Sequence, residues 1–479
     1  MIGIKSYGAY LPKYLLPREL IATAWDFPVV PGTKAVASGD EDSITMAVEA
    51  GLDCINGVNP KSIDGLFFAT TTQVYTEKDS ASFVATVLDL RDDIITADFT
   101  DSLKAGTTAL ARAVDTIKAN KDIKSILIIA ADTREPEPAT MSEFGFADGA
   151  AAFLVEEGEN LPVIIDDYYS ISTNVTGPWK RTKEDSFIRT FEAKMDNQIY
   201  TQSITRVMSE IMKRNNLNPE DIDVAAYYYN NPRTHARISK SMKFNQGVAQ
   251  NGLFFQVGDL GTPMPFMLLI SALKRPKEDA KAILAGFGDG ADAFLMHFKD
   301  RKSLRDLTKN HMGLSGHQKT MKTLNNYAVY IENKKLLTKD RYVRKSSAVT
   351  MWRDTPTVYK MYGNKCKNCG TVQYPSTFRS CIVCRADDQM ELVKLALKGT
   401  VFTYTLDHLV GGTYMDTPIP RCVIDLDGGG RVLLNMTEIE KPEENVKIGM
   451  EVELTFRKEH EGGDFKNYYW KCRPVRGRL

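Results

Sequence analysis

The sequence predicts an α/β protein made of two copies of one half, followed by a cysteine knuckle and a small closed β-barrel. Three observations carry that prediction. Residues 1–298 alternate strand-like and helix-like patterns, as stacked sheet and helix layers require. Two segments recur within this region in the same order. Beyond residue 360 the helical patterns give way to clustered cysteines and short alternating strands.

Taken in order, KSIDGLFFATTT enters a buried strand, KAGTTALARAVDTIKAN is a helix rich in small residues, and KSILIIAADT is a strand again. Gly145–Leu154 (GFADGAAAFL) and Gly286–Leu295 (GFGDGADAFL) differ at two of ten positions. Asn59–Thr71 (NPKSIDGLFFATT) and Asn218–Asn230 (NPEDIDVAAYYYN) share the Asn-Pro, the Ile-Asp and an apolar strand. Two matched pairs in one order indicate a tandem duplication. Residues 299–345 carry thirteen Lys/Arg against four Asp/Glu, a basic helical connector that packs along the first domain or contacts phosphates or an acidic partner.

Cys366, Cys369, Cys381 and Cys384 read CKNC, eleven residues, CIVC. Two such knuckles can set four thiolates tetrahedrally around one structural Zn2+, about 2.3 Å from each sulfur, leaving no open position for a catalytic water. Cys54, Cys422 and Cys472 are scattered and read as small core residues. The last stretch, including GTVFTYTLDH, RCVIDLDGGGRVLLNMT and NYYWKCRPV, predicts a barrel of the OB type. The expected domains are thus 1–160, 161–298, a connector 299–360, a zinc ribbon 361–395 and the barrel 396–479.

With 61 basic and 61 acidic residues the chain has no net charge, which argues against a nucleic-acid coat or a polybasic membrane anchor. No apolar run reaches the ~18 residues of a membrane span. The N-terminus lacks the order of a signal peptide, and the paired cysteines suit a reducing compartment, so a cytoplasmic protein is expected.

A duplicated α/β half of this length resembles the five-layered thiolase fold. More narrowly it resembles the hydroxymethylglutaryl-CoA synthase and ketoacyl synthase III branch. DFTDSLKAGTTAL is similar to the nucleophile turn of that branch, NNPRTHARISKSMKF to its histidine segment, VGDLGTPMP to its Gly-Asn-Thr turn and GFGDGADAF to its closing glycine loop. Residues 350–479 resemble the zinc-ribbon/OB module that accompanies acyl-CoA thiolases and synthases, usually as a separate chain.

The resemblance implies a thiolate at a helix N-terminus, where the helix field lowers its pKa and the sulfur carries an acyl group. That position falls on Leu103, immediately before Lys104-Ala105-Gly106-Thr107. The histidine of the family's His-x-Pro run falls on Asn230, the turn asparagine on Asp259 and the general-base glutamate on Thr71, with Glu77 and Asp79 nearby. Leucine carries no acyl group, asparagine shuttles no proton near neutrality, and a carboxylate opposes a developing oxyanion. Ser102 is an alternative nucleophile and His235 an alternative acid–base group. Asp101 and Lys104 read as solvated or paired charges, and Tyr75 and Tyr227–Tyr229 as packing residues, with a phenol beside a pocket as their alternative role. The implied role is a subunit of an acyl-CoA-processing thiolase or acyltransferase complex. It binds coenzyme A or an acyl-CoA and pairs with a catalytic thiolase chain, or with a second copy of itself. The alternatives are a self-sufficient aldolase or lyase acting on a β-hydroxyacyl-CoA through Asp259, Asn230, His235 and a tyrosine, and a true hydroxymethylglutaryl-CoA synthase-like enzyme.

Overall fold

The computed structural model describes residues 1–479 except 176, 181–186, 191–192, 230, 251–252, 274–276, 278, 300–301, 303–305, 307–308, 310, 337–346, 410–417, 463–464 and 477–479. The chain forms two compact units: Met1–Ser38 with Asp42–Leu336, and Gly39–Glu41 with Leu337–Gly477. Among the described residues no helix is long and apolar enough to cross a membrane.

The first unit is built on strands β1 (Ile2–Tyr10), β2 (Tyr14–Pro17), β3 (Thr33–Val36), β4 (Gly65–Ala69), β5 (Ile95–Phe99), β6 (Ser125–Thr133), β7 (Asp148–Glu157), β8 (Val163–Ser172), β9 (Val224–Tyr227), β10 (Lys281–Phe287) and β11 (Gly290–Phe298). Nine of them hydrogen-bond in the order β5-β4-β6-β7-β1-β8-β11-β10-β9. The first five are one half and the last four its repeat. They meet where Gly3 pairs with Ile164 and Ile4 with Val163. The repeat's fifth strand is reduced to one bridge, Ala225 to Ala249, beside β9.

Five helices layer these sheets. Helices α1 (Arg18–Trp25), α2 (Ser43–Cys54), α3 (Ser80–Val87), α4 (Ala105–Ala119), α5 (Ala193–Arg214), α6 (Pro232–Ser241) and α7 (Met264–Ala272) follow in chain order. α2 and α3 cover the first half-sheet, and α5 covers β8, β10 and β11. α4 and α7 lie between, each touching strands of both halves. Their sequences explain that position. MPFMLLISA is apolar all round and almost wholly buried, the mark of a helix with no solvent face. α4 buries Ala105, Gly106, Thr107, Ala109 and Ala113, small side chains that let the layers approach closely.

The duplication is visible in three dimensions. The Asn-Pro of each copy opens a 3-10 turn, Pro60–Ser62 and Pro219–Asp221, that leads into β4 and β9. Asn59 caps the first by accepting from the Lys61 amide, at 3.1 Å; in the second, Asp221 accepts from the Asn218 amide at 2.8 Å. The two decapeptides become β7 and the β10–β11 turn.

The basic stretch 299–360 is divided rather than forming one connector. Helices α8 (Gly313–Thr320) and α9 (Tyr327–Asn333), with the short strand β12 (Lys322–Thr323) between them, belong to the first unit. Leu324, Tyr330 and Ile331 are buried there with Leu16, Ile21, Val36 and Phe144. His317 Nε2 contacts the Ala9 carbonyl at 2.7 Å, and Lys334 pairs with Asp148 at 2.9 Å. Apolar spacing and two buried partners outweigh the charge of the stretch.

In the second unit, β13 (Tyr362–Cys366), β14 (Val372–Gln373) and β15 (Met390–Lys394) form the ribbon sheet. β16 (Lys398–Asp407), β17 (Ile419–Leu426), β18 (Arg431–Asn435), β19 (Glu451–Gly462) and β20 (Phe465–Pro474) pair antiparallel in the order β18-β17-β16-β19-β20. Register shifts at Val401/Thr403 and Lys458/His460 bend the sheet, and a bridge from Met436 to Cys472 brings its edges together. Val401, Ile424, Val432, Phe456 and Trp470 fill the interior. A layer of ion pairs sits beside them: Lys471 holds Asp40 at 2.9 Å, and Arg457, Arg473 and Arg476 surround Glu438. Burial alone would raise the Glu438 carboxyl, but the three guanidiniums hold it well below the usual range.

Candidate functional site

Strand β5 ends in the turn Asp101–Lys104, which feeds the N-terminus of α4. Asp101 takes a positive φ of 72° there, and Leu103 is buried against the core. The closing glycine loop packs on this turn. A β-carbon on Gly288 would lie 2.7 Å from the Leu103 amide nitrogen and 2.6 Å from that of Lys104, so only glycine fits. Lys104 is not a solvated charge. It is 15% exposed and pairs at 3.3 Å with Asp292, which also accepts from Thr107 and Thr108.

Thr71, Ser102, Leu103, Arg134, Trp179 and Asp289 line a cavity of about 120 Å³ over this turn. Thr71 Oγ1, Ser102 Oγ and Arg134 Nε are buried polar atoms without a hydrogen-bond partner among the described residues. Each such atom costs about 1–3 kcal/mol unless water or a ligand satisfies it, so their convergence on one cavity marks a polar binding site. Asp132 positions the Thr71 backbone, accepting its amide at 2.7 Å together with the Thr70 and Thr72 hydroxyls and the Thr262 amide. Burial, only partly offset by these donors, holds the Asp132 carboxyl above its usual range.

Sequence reasoning missed Arg134. It is 1% exposed and forms a buried ion pair with Asp259; its guanidinium carbon lies 3.7 Å from the centre of the Phe146 ring. Asp259 also accepts from Tyr228 at 2.9 Å and from the Gly261 amide at 3.0 Å. The expectation of a bare carboxylate opposing an oxyanion is therefore corrected: Arg134 neutralises that charge. Burial would lower the Arg134 pKa, but Asp259, Tyr228 and Asp132 outweigh it and raise it. The only sequence signal was a charged residue directly after the buried strand SILIIAADT.

The other predicted residues scatter. Asn230 lies outside the described residues. His235 does not line the cavity. It sits in α6 with its ring 4.1 Å from that of Tyr227 and 4.3 Å from that of Tyr229. Burial pushes its pKa down to about 4, with the Gln250 backbone opposing the shift. The NNP motif has a local explanation instead. Asn231 caps α6 by accepting from the Arg233 amide at 2.9 Å, and Pro232 takes the first helical position. Glu77 and Asp79 are exposed, and Asp79 caps α3. Tyr227 donates to the His235 carbonyl, and the Tyr229 hydroxyl accepts from the Phe254 amide. Cys54, the one cysteine of this unit, is buried, and burial pushes its thiol up.

In the second unit the sulfurs of Cys366, Cys369, Cys381 and Cys384 all lie within 4.8 Å of one another. Cys366 and Cys384 are 3.6 Å apart, and Cys369 and Cys381 3.5 Å. A tetrahedron with ~2.3 Å metal–sulfur bonds has edges of about 3.8 Å, so the donor set fits zinc. Thr371 Oγ1, 3.2 Å from the Cys369 sulfur, helps push that thiol down to about 6.

Duplicated sheets around two central helices, with a cavity at the head of one of them, define a thiolase-like protein. Residues 392–457 match the family described as ChsH2, C-terminal OB-fold domain. The hydroxymethylglutaryl-CoA synthase of Archaeoglobus fulgidus is 30% identical over 314 residues, 63% of this chain and 90% of that protein. Its counterpart from Methanocaldococcus jannaschii is 28% identical over 313 residues, again 63% and 90%. Among solved structures, a hydroxymethylglutaryl-CoA synthase complexed with CoA superposes with a TM-score of 0.61 at 17% identity, over 72% of this chain and 92% of that one. A 3-oxoacyl-[acyl-carrier-protein] synthase III from Aquifex aeolicus gives 0.57 at 18%, over 62% and 100%. The chain belongs to the hydroxymethylglutaryl-CoA synthase family.

Proposed function

We propose that the chain is a component of an acyl-CoA-processing complex that binds a CoA thioester without carrying the acyl group covalently. A partner thiolase supplies the nucleophilic sulfur. One observation carries this reading: Leu103 stands at the head of α4 on the cavity wall, and no cysteine is among the described residues that line that cavity. Ser102 is the nearest hydroxyl, and no base within the described cavity lining is hydrogen-bonded to it. The ribbon cysteines would hold zinc as four thiolates, a closed tetrahedral anchor for the knuckle loops rather than a reaction centre.

A second reading has its own support. Arg134, Thr71 and Ser102 offer hydrogen-bond donors to an oxygen in the cavity, and Tyr228 and Asp259 lie behind the arginine. Retro-aldol cleavage of a β-hydroxyacyl-CoA needs such donors for the developing enolate and a base for the hydroxyl. The two readings part on a simple assay. The purified chain is compared with the chain combined with a thiolase encoded beside it, for acyl transfer and for cleavage. Transfer only in the combination supports the accessory role; strong transfer by the isolated chain removes it, and cleavage by the isolated chain favours the lyase.

A further inference from the structure

The second unit holds another cavity, of about 430 Å³, bounded by ribbon, short helices and barrel. Met351, Val358 and Pro375, with the rings of Tyr374 and Tyr469, form the apolar part of its wall, and Thr357 and Thr377 stand among its polar residues. The two phenols hydrogen-bond to each other, hydroxyl to hydroxyl at 2.5 Å. The carboxylates at its edge are also engaged. Asp354 pairs with Arg353 at 2.8 Å, and Glu459 accepts from Asn435 at 3.0 Å.

One lining group remains unmatched. Asn467, 7% exposed on β20, has a side-chain oxygen with no donor among the described residues, while its amide nitrogen lies 3.4 Å from His460 Nδ1. A buried amide oxygen is an acceptor that calls for a donor, and an N–H group satisfies it. Aromatic, proline and thioether groups on the apolar part of the wall call for a planar ring.

We propose that this cavity is an adenine site, in which the exocyclic amine of the ring donates to Asn467 Oδ1 and the heterocycle packs against Tyr374, Tyr469 and Met351. The ring has two possible sources, the nucleotide end of coenzyme A and a free adenine nucleotide. This assignment stands apart from the cavity beside Leu103, because a nucleoside carries no acyl group and its binding does not depend on any turnover there.

Calorimetric titration of the full chain tests it. Adenosine is compared with purine riboside, which has the same ring without the amine. Adenosine is expected to bind on the order of tenfold more tightly, since a site built around a hydrogen bond rejects the analogue that lacks it. Asn467→Leu, close in size, is expected to erase that preference while circular dichroism and zinc content stay those of the parent. Adenosine 3′,5′-bisphosphate binding more tightly than AMP assigns the site to the coenzyme; the reverse assigns it to a free nucleotide. Equal affinity for adenosine and purine riboside, no binding of either at millimolar concentration, or an unchanged preference in a folded Asn467→Leu variant overturns the proposal.

Discussion

The two copies of one decapeptide, Gly145–Leu154 and Gly286–Leu295, meet different partners: the first packs on Arg134 and Asp259, the second on the α4 turn. In the first copy Phe146 lies under the Arg134 guanidinium, and the Ala147 amide donates to the Asp259 carbonyl at 2.9 Å. In the second copy the two changed residues, Gly288 for Ala147 and Asp292 for Ala151, both touch the head of α4. Gly288 lets the loop approach the Leu103 and Lys104 amides, and Asp292 holds Lys104. The shared residues build strands and part of the cavity: Gly149 lies in β7, Gly290 opens β11, and the shared Asp289 lines the cavity. The two divergent residues of the second copy hold the head of α4.

Exchanging the divergent residues tests this comparison most severely. Ala151→Asp places a carboxylate where no Lys104, Thr107 or Thr108 surrounds it, at a position that is fully buried. It is expected to cost at least ~4 kcal/mol in denaturant unfolding, whereas Asp292→Ala, which strands a partly accessible lysine, costs less. Equal costs would break the claim that the copies have separate roles.

Arg134→Gln is expected to lose about 3–5 kcal/mol by leaving Asp259 buried and unpaired. The neutral double variant Arg134→Gln/Asp259→Asn is expected to recover most of that loss. A double variant as unstable as the single would show that the ion pair does not govern this region. Gly288→Ala forces the loop off the α4 turn and is expected to cost about 1–3 kcal/mol, against about 1 kcal/mol for Ala147→Gly.

A pH effect of about 2 kcal/mol separates His235 from acid–base work. Folded, it is neutral down to about 4; unfolded, it takes up a proton near 6.5. Its contribution is therefore full above pH 6.5 and is lost progressively as the pH falls toward 4, reaching about 2 kcal/mol near pH 5 at ~1.4 kcal/mol per unit. His235→Phe is expected to flatten the stability profile across that window. An unchanged profile would mean that the histidine is solvated.

Much of this was legible in the sequence, and the residues explain why. The four ribbon cysteines are legible because their spacing is local and their chemistry narrow. The duplication is legible because Asn-Pro turns and Gly-Asp-Gly strand entries retain their letters when structure demands them. The resemblance located the α4 turn, and the cavity forms there around Leu103. Arg134 was invisible because its partner is distant in the chain: Asp259 lies 125 residues away, and although Asp259 falls in the VGDLGTPMP turn, Arg134 belongs to no motif that would link the two. His235 looked available beside a helix start, yet the neighbouring strand's tyrosines enclose it, a tertiary fact no spacing reveals. The basic stretch was legible as helices packed along the first domain, and its few apolar residues, not its many charges, decide where α9 packs.

The account rests on the absence of an acyl-carrying group at the head of α4, and intact-protein mass spectrometry after incubation with acetyl-CoA reads that directly. The native chain is expected to keep its unmodified mass, while Leu103→Cys, which puts a thiol at the helix N-terminus, is expected to gain an acetyl group. An acetylated native chain, with the label mapped by fragmentation to Ser102 or to any other residue of the cavity, would contradict it.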